Sequence, residues 1–195
     1  MLSFEISPYK GAEMLPYERF KLFNWISTFK PRGILEVGTG GGSGTNYMAE
    51  AIRLTRFKCP IYTCDPNRKP SPRLFRNYPF IEFFRQRSDI MIQEIIDRNV
   101  QIDFIFFDGP EDPEVALRDI KTLETWIVSG THFCMHDWEY TQRYYDGGVS
   151  IKAKSIRPYM EKSKNWEKVE VLNGLQRSED NRKESVGLCL YKFVK

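Results

Sequence analysis

The chain alternates short apolar runs with amphipathic segments, and this alternation limits its fold more than any other feature. Apolar runs recur at residues 33–37, 61–65, 81–85, 103–108 and 131–137. Segments whose apolar residues follow helical spacing lie at residues 16–29, 43–55, 89–97 and 112–128. Strands that alternate with helices indicate repeated βαβ units, in which helices cover both faces of a mostly parallel sheet.

The end of the chain follows a different pattern. A helix is predicted near residues 155–163, and two strands are predicted near residues 168–172 and 186–193. The polar stretch 176–185 between these strands is typical of an antiparallel hairpin. We therefore predict an α/β fold with a doubly wound, Rossmann-like, mostly parallel seven-stranded sheet and an antiparallel C-terminal hairpin. The 195 residues suffice for one such domain with a sizeable core.

Polar residues and glycines stand at or directly after the carboxyl ends of the predicted strands. They are Glu36 to Gly44, Asp65, Ser88 with Asp89, Asp108 with Gly109, and His136 with Asp137. Ligands of open α/β sheets bind beyond the carboxyl ends of the strands. A carboxylate at a strand end costs free energy unless it is exposed or hydrogen-bonded. The sequence therefore predicts a binding site at this edge of the sheet.

The glycine-rich turn after the first strand indicates which ligand binds. Glycine permits positive φ and lets a ligand approach the backbone, and Ser43 is the predicted N-cap of the next helix. Ser43 stands where a dinucleotide fingerprint requires its third glycine, and no P-loop Lys-Ser or Lys-Thr pair follows the turn. Glu36 would repel a pyrophosphate. The turn therefore favours a cationic ligand without phosphates.

In order and spacing, these residues resemble the motifs of class I S-adenosylmethionine-dependent methyltransferases. Residues 34–42 match the acidic-x-Gly-x-Gly-x-Gly first motif, and Asp65 matches the acid that binds the ribose hydroxyls. Ser88 and Asp89 stand where the family contacts adenine, and Asp108 matches the fourth motif. The resemblance implies the cofactor S-adenosyl-L-methionine, bound by Glu36, Gly38, Thr39, Gly40, Gly42, Ser43, Asp65, Ser88, Asp89 and Asp108.

The second half of the motif set is similar to small-molecule O-methyltransferases of the catechol and macrocin type (methyltransferase family 24). In those relatives, acids at the ends of strands four and five hold a divalent cation, usually Mg²⁺, and Asp108 and Asp137 occupy these positions. The resemblance thus implies that both are catalytic and metal-binding. The chain departs from the catechol pattern, with Trp138 in place of an asparagine ligand and Glu111 in place of a lysine. Whether a metal is used stays open at this point.

His136 is the predicted replacement for the missing catalytic base, because imidazole exchanges protons near neutral pH. In the alternative, His136 points to the opposite face from Asp137, since adjacent strand residues face opposite ways. The aromatic residues after the fifth strand either line an acceptor pocket or anchor a loop. They are Trp138, Tyr140, Tyr144 and Tyr145.

The resemblance implies that residues 1–195 form one methyltransferase domain that acts on a small-molecule acceptor. Residues 1–30 would form an N-terminal lid and helix, 33–137 the cofactor-binding core, and 138–195 the acceptor-side loop and hairpin. Two alternatives are an RNA methyltransferase that uses the basic segment 68–87 and a non-catalytic cofactor-binding module. A nicotinamide oxidoreductase is disfavoured by the glycine pattern.

Charge, cysteine content and hydropathy indicate where the protein acts and which partners are expected. The net charge of +3 is too small to argue for nucleic acid, and the basic segment 68–87 is interpreted first as a solvated surface. The four cysteines form no CxxC pair, and no apolar run reaches the length of a membrane helix. We predict a cytoplasmic enzyme without a membrane partner, and a homodimer is compatible with this interpretation.

Overall fold

The computed structural model describes residues 14, 16–67, 70–110, 112–138, 151–172 and 187–195. Within these ranges, helices and strands follow one another in nearly the predicted order. They are α1 (Pro16–Phe29), β1 (Ile34–Val37), α2 (Ser43–Thr55), β2 (Ile61–Cys64), α3 (Pro72–Asn77), β3 (Ile81–Phe84), α4 (Ser88–Asp97), β4 (Phe104–Phe107), α5 (Pro113–Glu124), β5 (His132–His136), α6 (Ile151–Lys162), β6 (Trp166–Leu172) and β7 (Leu188–Phe193).

The strands form one seven-stranded sheet with the order β3-β2-β1-β4-β5-β7-β6. The five strands from β3 to β5 pair in parallel, and β7 pairs antiparallel with both β5 and β6. The order reverses between β1 and β4, which places the topological switch point at their carboxyl ends. The predicted doubly wound sheet with its antiparallel C-terminal strands is confirmed.

The two central strands explain why both faces of the sheet are covered. All four residues of β1 and all four of β4 are buried. Successive side chains of a strand face opposite ways, so Leu35 and Phe107 join one core cluster while Ile34 and Phe106 join the other. Buried residues of α4, α5 and α6 complete the first cluster, and those of α1, α2 and α3 complete the second.

Helix α5 begins as its sequence predicts and ends earlier. Asp112 caps the helix by accepting hydrogen bonds from the backbone N–H groups of Glu114 (2.8 Å) and Val115 (3.3 Å), and Pro113 occupies the first helical position. The helix ends at Glu124 rather than near residue 128. Asp112 thereby satisfies N–H groups that have no partner within the helix.

The structure differs from the sequence-based expectations at three places. Gly42, with φ of 88°, is the N-cap of α2 without a side-chain hydrogen bond, so Ser43 is the first helical residue and not the cap. Helix α3 was not predicted, although Ser71 accepts a hydrogen bond from the Arg73 N–H (3.3 Å) and Pro72 follows it. Helix α6 begins at Ile151, ahead of the predicted start near residue 155.

Among the described residues, no helix combines the length and the apolar character that a membrane crossing requires.

Candidate active site

The glycine turn lies where the ends of β1 and β4 meet. Gly38 has φ of 93°, and a Cβ added there would stand 2.3 Å from the carbonyl oxygen of Asp108. The Asp108 N–H donates to the carbonyl oxygen of Val37 (2.8 Å), which holds the two strand ends together. Gly40 and Gly42 also have positive φ, at 53° and 88°. Glycine at 38 is therefore required by the neighbouring strand, and the turn projects from the switch point of the sheet.

Glu36 lies beneath the turn, inside β1. Its Oε2 accepts hydrogen bonds from the hydroxyl groups of Thr45 and Thr63, each at 2.5 Å. The hydroxyl groups of Thr39 and Thr63 are 2.6 Å apart, which links the network to the turn itself. Glu36 is 1% exposed, and burial raises its pKa to about 8 although the two threonines lower it in part. Glu36 thus supports the turn from below, and its contact with a cationic ligand stays a prediction.

Asp65 connects the end of β2 to the same turn. Its Oδ2 accepts a hydrogen bond from the Gly40 N–H (2.9 Å), and its Oδ1 accepts one from the Asn67 N–H (2.9 Å). The glycine turn and the carboxylate of Asp65 therefore lie side by side at the carboxyl edge of the sheet, as the sequence predicts.

Ser88 and Asp89 occupy the first turn of α4, and their side chains contact α5. The Ser88 hydroxyl donates to Oδ2 of the buried Asp119 (2.5 Å), and the carboxylate of Asp89 pairs with Arg118 (3.2 Å) and with Arg87 (2.7 Å). These contacts turn both side chains towards α5. Their predicted role at adenine stays a prediction.

His136 joins the acids at the ends of β4 and β5. Its Nδ1 lies 3.0 Å from Oδ1 of Asp108 and 3.1 Å from Oδ1 of Asp137. Asp137 has φ of 56°, so the backbone leaves the extended conformation directly after β5. The alternation of side chains along β5 is thereby broken, and the side chains of His136 and Asp137 lie close together. The alternative in which His136 points away from Asp137 was wrong.

Glu18 of α1 completes this cluster, although no sequence motif singles it out. Its Oε2 lies 3.4 Å from Nε2 of His136, and the exposed fractions of the two residues are 0% and 1%. Burial lowers the pKa of His136, but Asp108, Asp137 and Glu18 together raise it well above its ordinary value. The available signal was helical spacing, because Glu18 falls on the buried stripe of Leu22 and Ile26.

The acids and the imidazole offer a set of metal ligands. One ligand atom each from Asp108, His136 and Asp137 lies within 4.8 Å of the other two. Two carboxylates suit Mg²⁺, which keeps part of its water shell, whereas an imidazole nitrogen is more typical of transition metals. The set therefore fits a divalent cation, with His136 in the place of an amide ligand.

Trp138 is a core residue. Its ring packs edge-on against Tyr191 (centroids 5.4 Å apart), and the Arg157 guanidinium lies 5.4 Å from its centroid. Of the predicted aromatic group, Trp138 thus anchors the chain behind β5, whereas Tyr140, Tyr144 and Tyr145 lie outside the described residues. Glu111 and residues 1–13 of the predicted N-terminal lid also lie outside them.

Comparisons with solved structures agree with this fold. An O-methyltransferase of Bacillus cereus in complex with SAH is 15% identical, with a TM-score of 0.67 over 94% of this chain and 83% of that one. The O-methyltransferase TomG of Streptomyces achromogenes is 14% identical, with a TM-score of 0.70 over 94% and 82%. An rRNA methylase of Streptococcus thermophilus is 9% identical, with a TM-score of 0.62 over 93% and 99%. At these identities the likeness shows the fold.

The family comparison carries the assignment. A comparison with curated protein sequences gives no match. The family model of methyltransferase family 24, described as a methyltransferase domain, matches residues 35–138. This range is more than half of the chain. The match begins in β1, contains the glycine turn, Asp65 and Asp108, and ends just after Asp137. The chain therefore belongs to methyltransferase family 24, among the class I S-adenosylmethionine-dependent methyltransferases.

Proposed function

We propose that this enzyme transfers the methyl group of S-adenosylmethionine to a hydroxyl oxygen of a small molecule. The observation that supports it most is the cluster of His136, Asp108 and Asp137 beside the glycine turn. Methylation of a hydroxyl group requires that its proton be removed as the oxygen attacks. An imidazole next to the cofactor site is suited to that task.

The cofactor side of the proposal rests on three parts of the carboxyl edge. The bound cofactor supplies an activated methyl group on a sulfonium sulfur. The turn from Gly38 to Gly42 offers its backbone, and Asp65 offers carboxylate oxygens to the ribose hydroxyls. Asp108 would add a further carboxylate to this edge, next to Gly38 of the turn. In this proposal one domain comprises an N-terminal lid and helix (residues 1–30), a cofactor-binding core (residues 33–137), and an acceptor-side loop and hairpin (residues 138–195).

A divalent cation, where bound, would be held by Asp108 and Asp137, with Nδ1 of His136 within reach. Such a cation lowers the pKa of a hydroxyl group that it contacts and orients the acceptor. The protein's own contribution is to hold the two carboxylates from β4 and β5 close together in a half-buried position.

An RNA methyltransferase is the second candidate, and one surface favours it. Arg73 and Arg76 on α3 and Arg85 after β3 are exposed. Helix α3 borders the glycine turn, because a Cβ added at Gly42 would stand 3.0 Å from Leu74. RNA binding that weakens steeply with salt, and that a triple substitution of these arginines by Ala abolishes, would favour this candidate.

Calorimetry with S-adenosylhomocysteine (SAH) tests the cofactor site. Wild type should bind, and Asp65→Ala should lose about tenfold or more in affinity, since hydrogen bonds to charged groups contribute about 1.5–3 kcal/mol. Asp97→Ala is the matched control, because Asp97 is an exposed acid at the far end of α4. Equal affinities in all three proteins would contradict the assigned site.

A further inference from the structure

We propose that a groove at the amino edge of the sheet binds a small aromatic anion. The amino-edge groove lies between the end of α2 and the start of β2, and residues 52, 53 and 56–60 line it together with Phe80. The glycine turn and the cluster of His136, Asp108 and Asp137 lie at the opposite, carboxyl edge. The groove is therefore separate from the site that the proposed function uses, and neither depends on the other.

The floor of the amino-edge groove is apolar and adjoins the core. Phe57 and Phe80 are partly buried and pack against the core cluster that α1, α2 and α3 complete. The Ile61 N–H donates to the carbonyl oxygen of Phe80 (3.1 Å), and the Ile34 N–H donates to that of Pro60 (3.0 Å). These bonds join the floor to the first residues of β1 and β2, so the apolar surface is formed before a ligand arrives.

The size of the groove suits a small ligand. Its volume is about 520 Å³, and small-molecule sites commonly measure about 300–1,000 Å³. Aromatic rings pair by offset stacking or edge to face. Phe57 and Phe80 therefore favour a ligand with a flat, aromatic body over one that is polar throughout.

The rim of the groove carries two cations that are not paired with a described acid. Arg56 and Lys58 are exposed, and neither forms an ion pair within the ranges that the structure describes. Arg53, the third basic residue at the groove, donates from Nε to Oε2 of Glu50 (2.7 Å). Guanidinium and ammonium groups bind carboxylates through charge-assisted hydrogen bonds. The rim therefore favours a ligand with an anionic group at one end.

The end of α2 gives the same cations a structural role as well, because the carbonyl groups at a helix C-terminus favour positive charge. That interaction is weak at an exposed helix end and is screened by salt. It does not involve Phe57 and Phe80, whereas an aromatic anion contacts the cations and the rings together. The charge and the rings of the ligand are therefore tested separately.

An NMR titration of the ¹⁵N-labelled chain with naphthoate tests the site. We expect saturable binding with a Kd of about 1 mM or tighter, which a ligand of this size allows, and the largest amide shifts at residues 52–58 and 80. Neutral naphthamide should bind about tenfold more weakly, because it forms no ion pair with the rim. Acetate should give no saturable shifts there, because it has no ring. Saturating SAH should not displace naphthoate.

The left-handed backbone at Arg56 supplies a variant that is expected to fold. Arg56 has φ of 56°, a conformation that glycine adopts readily, so Arg56→Gly removes the guanidinium without straining the chain. Combined with Lys58→Gln, it should weaken naphthoate binding about tenfold. Lys30→Gly is the matched control, because Lys30 follows α1 with φ of 48° and does not line the groove. This control should leave the affinity unchanged.

Four results would overturn the proposal for the amino-edge groove. They are an absence of saturable naphthoate binding, shifts centred on the glycine turn, equal affinities for naphthoate and naphthamide, and an equal loss of affinity in Lys30→Gly. A wild type without methyl transfer would overturn the proposed function instead, and the titration would still decide whether the groove binds an aromatic anion.

Discussion

His136 and Asp108 come from different strands, and their side chains meet with Nδ1 3.0 Å from Oδ1. His136 is the last residue of β5, and Asp108 directly follows β4. The two strands pair in parallel, so their carboxyl ends lie side by side. The left-handed φ of Asp137 brings a second carboxylate to the same imidazole. The geometry thus gathers an imidazole and two carboxylates at one point of the carboxyl edge.

Metal binding is tested by thermal unfolding with Mg²⁺, Mn²⁺ or EDTA. We expect a divalent cation at about a hundredfold excess over its Kd to raise the Tm of wild type by about 5–10 °C. Asp137→Ala should abolish that rise, because it removes one of the two carboxylates. Identical curves under all conditions in both proteins would point to a metal-free mechanism.

The buried Glu36 predicts a pH dependence of stability. Its pKa is raised to about 8 by burial, so the folded state binds a proton that the unfolded state releases above its ordinary pKa of 4.5. The resulting contribution is favourable below about pH 4.5, declines as the pH rises, and is lost above about pH 8. We expect Glu36→Gln to remove this decline from urea unfolding measured between pH 5 and pH 9.

Glu50 is the control, because its pKa is shifted in the opposite direction from that of Glu36. Hydrogen bonding from Arg53 lowers the pKa of Glu50, so its stabilising contribution is present above the ordinary pKa and is lost as the pH falls. Glu50→Gln should therefore leave the decline between pH 5 and pH 8 in place. A decline that persists equally in Glu36→Gln would show that another group causes it.

Glycine at 38 is predicted to be a requirement of the backbone. Gly38→Ala meets both a left-handed φ of 93° and a carbonyl oxygen at 2.3 Å, so we expect a loss of at least about 2 kcal/mol in stability. Gly41→Ala should cost little, because a Cβ there meets nothing within 4 Å. Similar losses in the two variants, measured by urea unfolding, would contradict the close approach of β1 and β4.

Ser88 is predicted to act on stability more than on cofactor affinity. Ser88→Ala leaves the buried Asp119 without its 2.5 Å hydrogen bond, which should cost about 1–3 kcal/mol. SAH affinity should change much less than in Asp65→Ala, since the hydroxyl group of Ser88 contacts α5. A large loss of SAH affinity with unchanged stability would instead support a side-chain contact with adenine.

The strand-end residues were predictable because their positions follow from the period of the sequence. Glu36 lies within the first apolar run, Asp65, Asp108 and Asp137 each end one, and parallel strands bring their carboxyl ends to one edge. Trp138 was named as a departure from the catechol pattern, but its place in the core depends on Tyr191, a residue of the antiparallel strand β7.

Glu18, Ser88 and α3 show why the rest was not predictable. Glu18 and His136 are 118 residues apart, and their contact depends on how α1 docks along β5, which local patterns do not determine. Ser88 meets Asp119 only because α4 and α5 pack side by side. Helix α3 has six residues, too few for a clear apolar period, and it lies in a segment dominated by charge.

The most direct test of the central claim is the release of SAH from S-adenosylmethionine in the presence of pooled small-molecule acceptors. We predict time-dependent release with hydroxyl-bearing pools by wild type, and a loss of at least about a hundredfold in His136→Ala, since a general base contributes about 10²–10⁴-fold. Tight cofactor binding without SAH release from any pool, or equal rates in wild type and His136→Ala, would contradict this account.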